Sequence, residues 1–453
     1  MKSLILKLNS GLTGDSHFKV LLKGSSVTLI LKIVGALSSY VFTLLVTRNF
    51  GASAMGTFAL SLTVITIFSV VGRLGLDTAL LKLISEHSSQ GRWDTVRSIH
   101  SKALRMSLPL SFLLSVLLFF CSPPIATYVF HKEGLVPFLR LASFGIIPTV
   151  LIFLNSESLR GLKEIRDYAF LQLTGVFLFG ALLLGTALTI WEDNRLPLIA
   201  YLAASVIVAT IGSIMFVKKA DVQASSASPH MGYRELFDIS MPMLLSSSMF
   251  LVMGWADTIM LGIFRSEREV GIFSVALKIS TVTSLTLMAI NSIAAPKFAE
   301  LYSKGDMDGL QGIVRQSTRM IFWTSVPVLL CILLFPKIIL GIFGEEFEAG
   351  VYALLLLAAG QFVNAISGSV GYLLQMTGNQ KLFRNIILIA VVINIALNAL
   401  LIQRYGINGA AVSSMISMIF WNLAAVFSIK KLLGLRTYYF PYIDRFCSLN
   451  RSR

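Results

Sequence analysis

From residue 25 to residue 429 the chain alternates apolar runs of about twenty residues with short polar breaks. A helix crossing the roughly 30 Å hydrocarbon core needs about 20 apolar residues, so each run predicts a membrane span. The runs fall at 25–47, 54–80, 104–122, 135–159, 167–190, 196–217, 236–263, 269–294, 318–341, 350–376, 382–402 and 407–429. The predicted fold class is an all-α polytopic membrane protein with twelve transmembrane helices, leaving no soluble domain of any size.

The charge distribution tests that count. Only 13% of residues are charged and 55% are hydrophobic, against about 25% charged in soluble domains. A net charge of +15 in a soluble protein would suggest nucleic acid. Here 27 lysines and arginines fall in the two termini and the alternate loops on one side, against 7 in the opposite loops. The positive-inside rule turns this bias into twelve spans with both termini cytoplasmic, and leaves no reason to expect a nucleic-acid partner. Residues 1–24 read as a cytoplasmic lead-in whose apolar core is too short for a cleaved signal peptide.

The chain also repeats itself. GTFALS (56–61) resembles GIFSVA (271–276), and KLISEHSSQGRWD (82–94) resembles KFAELYSKGDMD (297–308). Pro124 aligns with Pro336, RGLKEIRDY with TGNQKLFRN through Gly161 and Gly378, and Lys218-Lys219 with Lys430-Lys431. Six spans per repeat give both halves the same orientation, so the expected relation is a pseudo-two-fold axis along the membrane normal. The expected domains are an N-lobe over 25–217, a linker over 218–235, a C-lobe over 236–432 and a cytoplasmic tail over 433–453. Pro148, Pro242 and Pro327 lie within or at the start of spans, where proline either shapes a helix statically or lets it bend as the lobes rock.

Seven charges remain inside the runs: Lys32, Arg73, Arg140 and Lys278, with Asp77, Glu157 and Asp257. A charge at mid-bilayer costs about 2.5–3.5 kcal/mol on insertion scales, so such residues face a cavity or a partner, or snorkel to the surface. Lys32 and Arg140 can snorkel, and Glu157 is near enough to a span end to be interfacial. Lys278 and Asp257 lie deeper. The apolar stretch from Ala54 to Ile84 would make roughly 46 Å of helix at about 1.5 Å per residue, too long for hydropathy to place Arg73. Spacing i,i+4 lets Arg73 pair with Asp77 on one helix face, so an ion pair and a ligand-facing arginine both stand. The second repeat carries Met288 and Ser292 at those positions. It supplies neutral amides instead, Asn291, Gln361, Asn364, Asn394, Asn398 and Asn422, either packing helices together or lining a polar path.

The usual enzyme signatures are missing. Cys121, Cys331 and Cys447 have no metal or redox spacing, and the five histidines fall in predicted loops or at span ends. No phosphate loop, zinc motif or nucleophile elbow occurs, so no enzyme, metal or cofactor is expected.

TRNFGASAMGTFALS (47–61), GRLGLDTALLKLIS (72–85), IFRSEREVGIFSVALKIS (263–280), KIILGIFGEEFEAG (337–350), QMTGNQK (375–381) and YGINGAAVSS (405–414) resemble polysaccharide flippases of the O-antigen translocase type. These belong to the multidrug/oligosaccharidyl-lipid/polysaccharide exporter superfamily, and the resemblance runs from about residue 25 to 432. It implies a MATE-like fold in two six-helix lobes and alternating access. The implied activity moves an undecaprenyl-pyrophosphate-linked oligosaccharide (an O-antigen, capsule or exopolysaccharide unit) from the cytoplasmic to the periplasmic leaflet, beside membrane lipid and a polysaccharide polymerase and chain-length machinery. Related lipid II flippases receive the pyrophosphate in a cavity with arginines of the first, second and eighth spans, which implies that role for Lys32, Arg73 and Lys278, with lysine in place of arginine at Lys278. Arg140 joins them as a fourth cation. Asp257, with Glu157 or Asp77, is expected to take the proton or sodium ion that drives turnover. Asn291, Asn364, Asn394 and Asn398 are expected along the glycan path. About 20 polar residues follow the twelfth run, where lipid II flippases carry two further helices, so the expected substrate is not a peptidoglycan precursor. The alternatives are a multidrug or cation antiporter of the same superfamily and a membrane glycan polymerase or ligase.

Overall fold

A computed structural model describes residues 16–190, 193–221 and 231–439, all helix and connecting turns with no strand among them. The N-terminal 1–15, most of the expected linker (222–230), the tail from 440 and Cys447 lie outside the described residues.

The first apolar run and most of the second share one helix, α1 (Ser16–Arg73), broken at Gly51, where φ is 76°. The chain continues through α2 (Leu76–Ser89), α3 (Trp93–Pro124), α4 (Val136–Ser143), α5 (Ile146–Gly161), α6 (Ile165–Ala169), α7 (Val176–Ala187) and α8 (Leu196–Asp221). Then come α9 (Tyr233–Phe264), α10 (Glu267–Ser280), α11 (Val282–Ser303), α12 (Met307–Leu334), α13 (Pro336–Gly341), α14 (Val351–Ser367) and α15 (Val370–Met376). Last is α16 (Gln380–Leu433), broken at Gly406 with φ of 54°. Left-handed φ excludes most side chains, which is why glycine stands at both corners.

Among the described residues, eight helices are long and apolar enough to cross a membrane, or nine if the α4–α5 pair, bent by 42°, is one span. The difference from twelve lies in counting. α1 holds one apolar run and most of another, α16 holds two, and the apolar part of α9, Leu251–Phe264, falls short of the length required. The surface fits a lipid environment: Phe120, Leu334, Leu400 and Phe427 point outward while Asn155, Asn394 and Asn398 are wholly buried. This is a multi-pass membrane protein.

Two compact units result. Of the described residues, one unit gathers those of 16–45, Ile65–Phe119 and Leu141–Leu244, and the other those of Val46–Val64, Phe120–Arg140 and 245–439. These units cut across the sequence halves, because 46–64 and 120–140 pack with second-half helices.

The repeat is visible in the turns. Gly91 and Gly305 have φ of 70° and 71°. Around them Arg92 N–H donates to His87 O, Trp93 to Gly91 O, Asp306 to Leu301 O and Met307 to Gly305 O. The alignment of Gly161 with Gly378 needs correcting. The residue doing what Gly378 does (φ 79°) is Lys163 (φ 65°), since Glu164 N–H donates to Leu159 O as Asn379 N–H does to Leu374 O. Gly161 is helical.

The second apolar run is also not one helix. Leu74 and Gly75 both have positive φ, 53° and 71°, and part α1 from α2. A Cβ on Gly75 would meet Ser240 O at 2.3 Å and Leu244 N at 2.6 Å, so α9 backbone is packed against the break.

Candidate functional site

The break sets the geometry of Arg73, the last residue of α1, and Asp77, in the first turn of α2. Arg73 Nη1 donates to Asp77 Oδ2 at 2.8 Å and its Nε to Ser69 O at 3.2 Å. The i,i+4 pair expected along a continuous helix thus forms across an interruption. Asp77 Oδ1 accepts from Thr78 N–H, and a carboxylate in a helix's first turn also meets the positive end of the dipole. Arg73 is 4% exposed, and its Cζ lies 3.9 Å from the Phe153 ring centroid, a cation–π contact that shields the guanidinium from water.

One turn beyond Phe153 on α5, Glu157 is buried and close enough to interact with both Arg73 and Asp77. Its own partners are Arg160 at 3.3 Å and Gln172 at 3.4 Å. The structure therefore joins Arg73, Asp77 and Glu157 in one polar centre of the first unit. Arg140 lies exposed in the last turn of α4, and Lys278 lies half-buried in the last turn of α10. Lys32 is on α1, with its side chain outside the described residues.

A second buried centre forms in the other unit. Asp257 of α9 is 3% exposed and accepts at Oδ1 from Asn394 Nδ2 at 3.0 Å and Asn398 Nδ2 at 2.7 Å. Its Oδ2 accepts a short hydrogen bond from Ser414 Oγ. Asn394 and Asn398, one turn apart on α16, are further linked at 3.1 Å. These two amides, expected along a glycan path, are committed to a carboxylate. Beside them lies a cavity of about 120 Å³ lined by Asp257, Ser414, Gln361 and Thr281 among apolar groups.

Sequence reasoning passed over Ser414 and Ser369, although Ser414 lies in the quoted YGINGAAVSS stretch. Ser369 Oγ donates a short bond to Asn291 Oδ1, and Ser284 Oγ donates to Gln361 Oε1 at 2.8 Å. His100, expected in a loop or at a span end, lies within α3, bonded to Asn155 at 3.0 Å and stacked on Phe216.

The second unit also contains a seam between its first-half and second-half segments. A Cβ on Gly56 would lie 1.8 Å from Glu267 O, and one on Gly271 would lie 1.9 Å from Ala52 O. Arg48 donates to Gly341 O and Ile342 O, while Glu346 accepts from Ala52 N–H and pairs with Arg268 at 3.2 Å. Lys132 Nζ caps the end of α9 through Gly262 O at 2.7 Å and Arg265 O at 2.5 Å.

Against known proteins, the family model described as "Polysaccharide biosynthesis protein" matches residues 21–302, more than half of the chain. The chain belongs to this family. This polysaccharide biosynthesis protein also matches the MatE family model over residues 242–400. It is 26% identical over 405 residues to the probable low-salt glycan biosynthesis flippase Agl15 of Haloferax volcanii, covering 87% of this chain and 80% of the relative. It is 28% identical over 181 residues to the probable flippase AglR of the same archaeon, covering 39% and 38%. Among solved structures, the lipid II flippase MurJ in an inward closed conformation superposes with a TM-score of 0.73 at 14% identity, over 90% of this chain and 87% of MurJ. An inward-facing multidrug resistance MATE family transporter superposes with a TM-score of 0.69 at 13% identity, over 90% and 98%. At such identities the superpositions establish a shared fold.

Proposed function

We propose that this polysaccharide biosynthesis protein is a flippase that moves a lipid-linked oligosaccharide across the membrane by alternating access, a transporter rather than an enzyme. The observation that carries the proposal is a pair of unlike buried polar centres, one in each compact unit. A basic group backed by an aromatic ring, Arg73 on Phe153, suits a phosphate that must leave water. The carboxylate–amide–hydroxyl centre at Asp257 suits a small cation or a proton. Similarity to Agl15 over 87% of the chain supports glycan as the cargo.

The finer reading has the pyrophosphate of the carrier lipid meeting Arg73, with Lys278, Lys32 and Arg140 on its route. Asp257 takes the coupling ion, and Asp77 and Glu157 balance Arg73. A proton needs only one of the Asp257 oxygens. A sodium ion would also need the Asn394 and Asn398 amides turned to present oxygen. The carrier is a polyprenyl lipid, undecaprenyl pyrophosphate in a bacterial inner membrane, and a polymerase and chain-length machinery receive the glycan. Both termini are placed on the cytoplasmic side, where the lysine and arginine excess lies.

Deleting the gene tests this reading. The expected result is a lipid-linked oligosaccharide retained on the cytoplasmic face. Normal surface glycan in the deletion strain overturns it. The MatE match over residues 242–400, which includes Asp257, favours one second reading, export of cationic drugs. Increased drug sensitivity with normal glycan in the same strain would select it.

A further inference from the structure

A cavity of about 300 Å³ lies within the second unit where α14 gives way to α15. The break is at Gly368 (φ 74°), and α15 resumes at Val370. Interrupted helices in transporters place polar groups at membrane depth because the freed backbone must be satisfied by protein or by a ligand. This cavity combines two chemistries. Its lining includes the polar Asn291, Asn364, Ser369 and Gln375 and the aromatic Tyr372 and Trp421.

The polar groups are unequally satisfied. Asn291, 2% exposed, is bonded to Ser369 Oγ. Asn364, 8% exposed, donates to Gln361 Oε1 at 3.4 Å, but its Oδ1 is buried with no hydrogen-bond partner among the described residues. A buried amide oxygen left unpaired costs about 1–3 kcal/mol, so a ligand hydroxyl donating to it would bring a gain that an apolar occupant cannot. The aromatic lining is partly prearranged: the Trp421 ring is held edge-on by Phe383 at 6.2 Å, while Tyr372 is 42% exposed. A pyranose ring presents hydroxyls around its rim and C–H groups on its faces. Amides and hydroxyls together with aromatic rings in one lining match that combination. The volume is at the lower end of ligand pockets, which start near 300 Å³.

We propose that this cavity is a carbohydrate subsite. Asn364 Oδ1 accepts a sugar hydroxyl, Asn291, Ser369 and Gln375 bond others, and Trp421 and Tyr372 stack on the ring. The inference rests on the glycan-flippase reading and deepens it by locating where the glycan is held. It also separates the four amides expected along the glycan path: Asn291 and Asn364 line this cavity, while Asn394 and Asn398 serve Asp257.

The test is calorimetric titration of the purified full chain in lipid nanodiscs with chitotriose and with maltotriose. Saturable binding of at least one trisaccharide is expected, weakened about tenfold by Asn364→Ala. The same loss is expected from Tyr372→Ala, whose partly exposed side chain can be removed with little effect on packing. Thermal unfolding within a few degrees of the wild type shows that both variants fold. No saturable binding by the wild type, as when a lipid chain fills the cavity, overturns the subsite. Binding unchanged in both variants overturns it equally. Because binding is read without transport, failure here is distinct from failure of the flippase reading, which the deletion strain reports.

Discussion

Gly56 and Gly271 stand in reciprocal contact. A side chain on Gly56 would strike the carbonyl of Glu267, four residues before Gly271, and one on Gly271 would strike that of Ala52, four residues before Gly56. The two glycines occupy matching positions in the repeat, so the same patch of each repeat faces its counterpart, as a two-fold relation requires. Around it, bonds from Arg48, Lys132 and Glu346 tie the same first-half and second-half segments together.

Gly56→Ala is therefore expected to push the two helices apart. The cost in stability is about 1–3 kcal/mol, as for overpacked cores. Thermal unfolding in nanodiscs measures it, with glycan export falling alongside. An unchanged melting temperature would show that the contact is not tight.

The Arg73–Asp77 pair separates structure from function by a double substitution. Arg73→Ala leaves a half-buried Asp77 without its cation, and losing one partner of a buried pair costs about 3–5 kcal/mol. Adding Asp77→Ala should restore much of that stability but none of the export, because the cation for the phosphate is still missing. Recovery of both would make the pair structural only.

At the second centre, Asp257→Asn keeps the size of the side chain and removes the charge. Export should fall at least about tenfold and lose its dependence on the driving ion gradient, read with sodium and proton gradients imposed separately. Asp257→Ala should also destabilise, since Asn394 and Asn398 lose a buried acceptor worth about 1–3 kcal/mol for each donor left unpaired. Ion-dependent export surviving in Asp257→Asn would place coupling elsewhere.

Lys163 tests the local backbone. It holds a left-handed conformation that its repeat counterpart assigns to Gly378. Lys163→Gly should stabilise the protein by about 1 kcal/mol, the order of the left-handed penalty it relieves. A lower melting temperature would mean that the lysine side chain contributes more than its backbone strain removes.

These residues show what could be read from the chain in advance. The apolar runs were legible because lipid imposes a minimum length on each span. The shared face of Asn394 and Asn398 followed from helical spacing, and Asp257 stood out as a short acid inside a run. Their meeting was not legible, because Asp257 and Asn398 are 141 residues apart and only tertiary packing joins them. The break at Leu74–Gly75 was hidden for a similar reason. A left-handed leucine runs against local preference, and the Ser240–Leu244 backbone packed on Gly75 comes from a distant helix. Near residue 160 a glycine match misleads by two residues, because the chain tolerates Lys163 in the left-handed conformation that Gly378 takes in the other repeat.

The proposed activity of this chain is to carry a lipid-linked glycan from one leaflet to the other. Purified protein in proteoliposomes containing a fluorescent polyprenyl-pyrophosphate-linked oligosaccharide tests it most directly, with a membrane-impermeant glycosidase reporting which leaflet holds the glycan. Wild-type protein should transfer the inner pool to the outer leaflet under an ion gradient, whereas Arg73→Ala/Asp77→Ala protein should leave it in place. Transfer no faster than in protein-free vesicles, or equal in both proteins, would contradict the account.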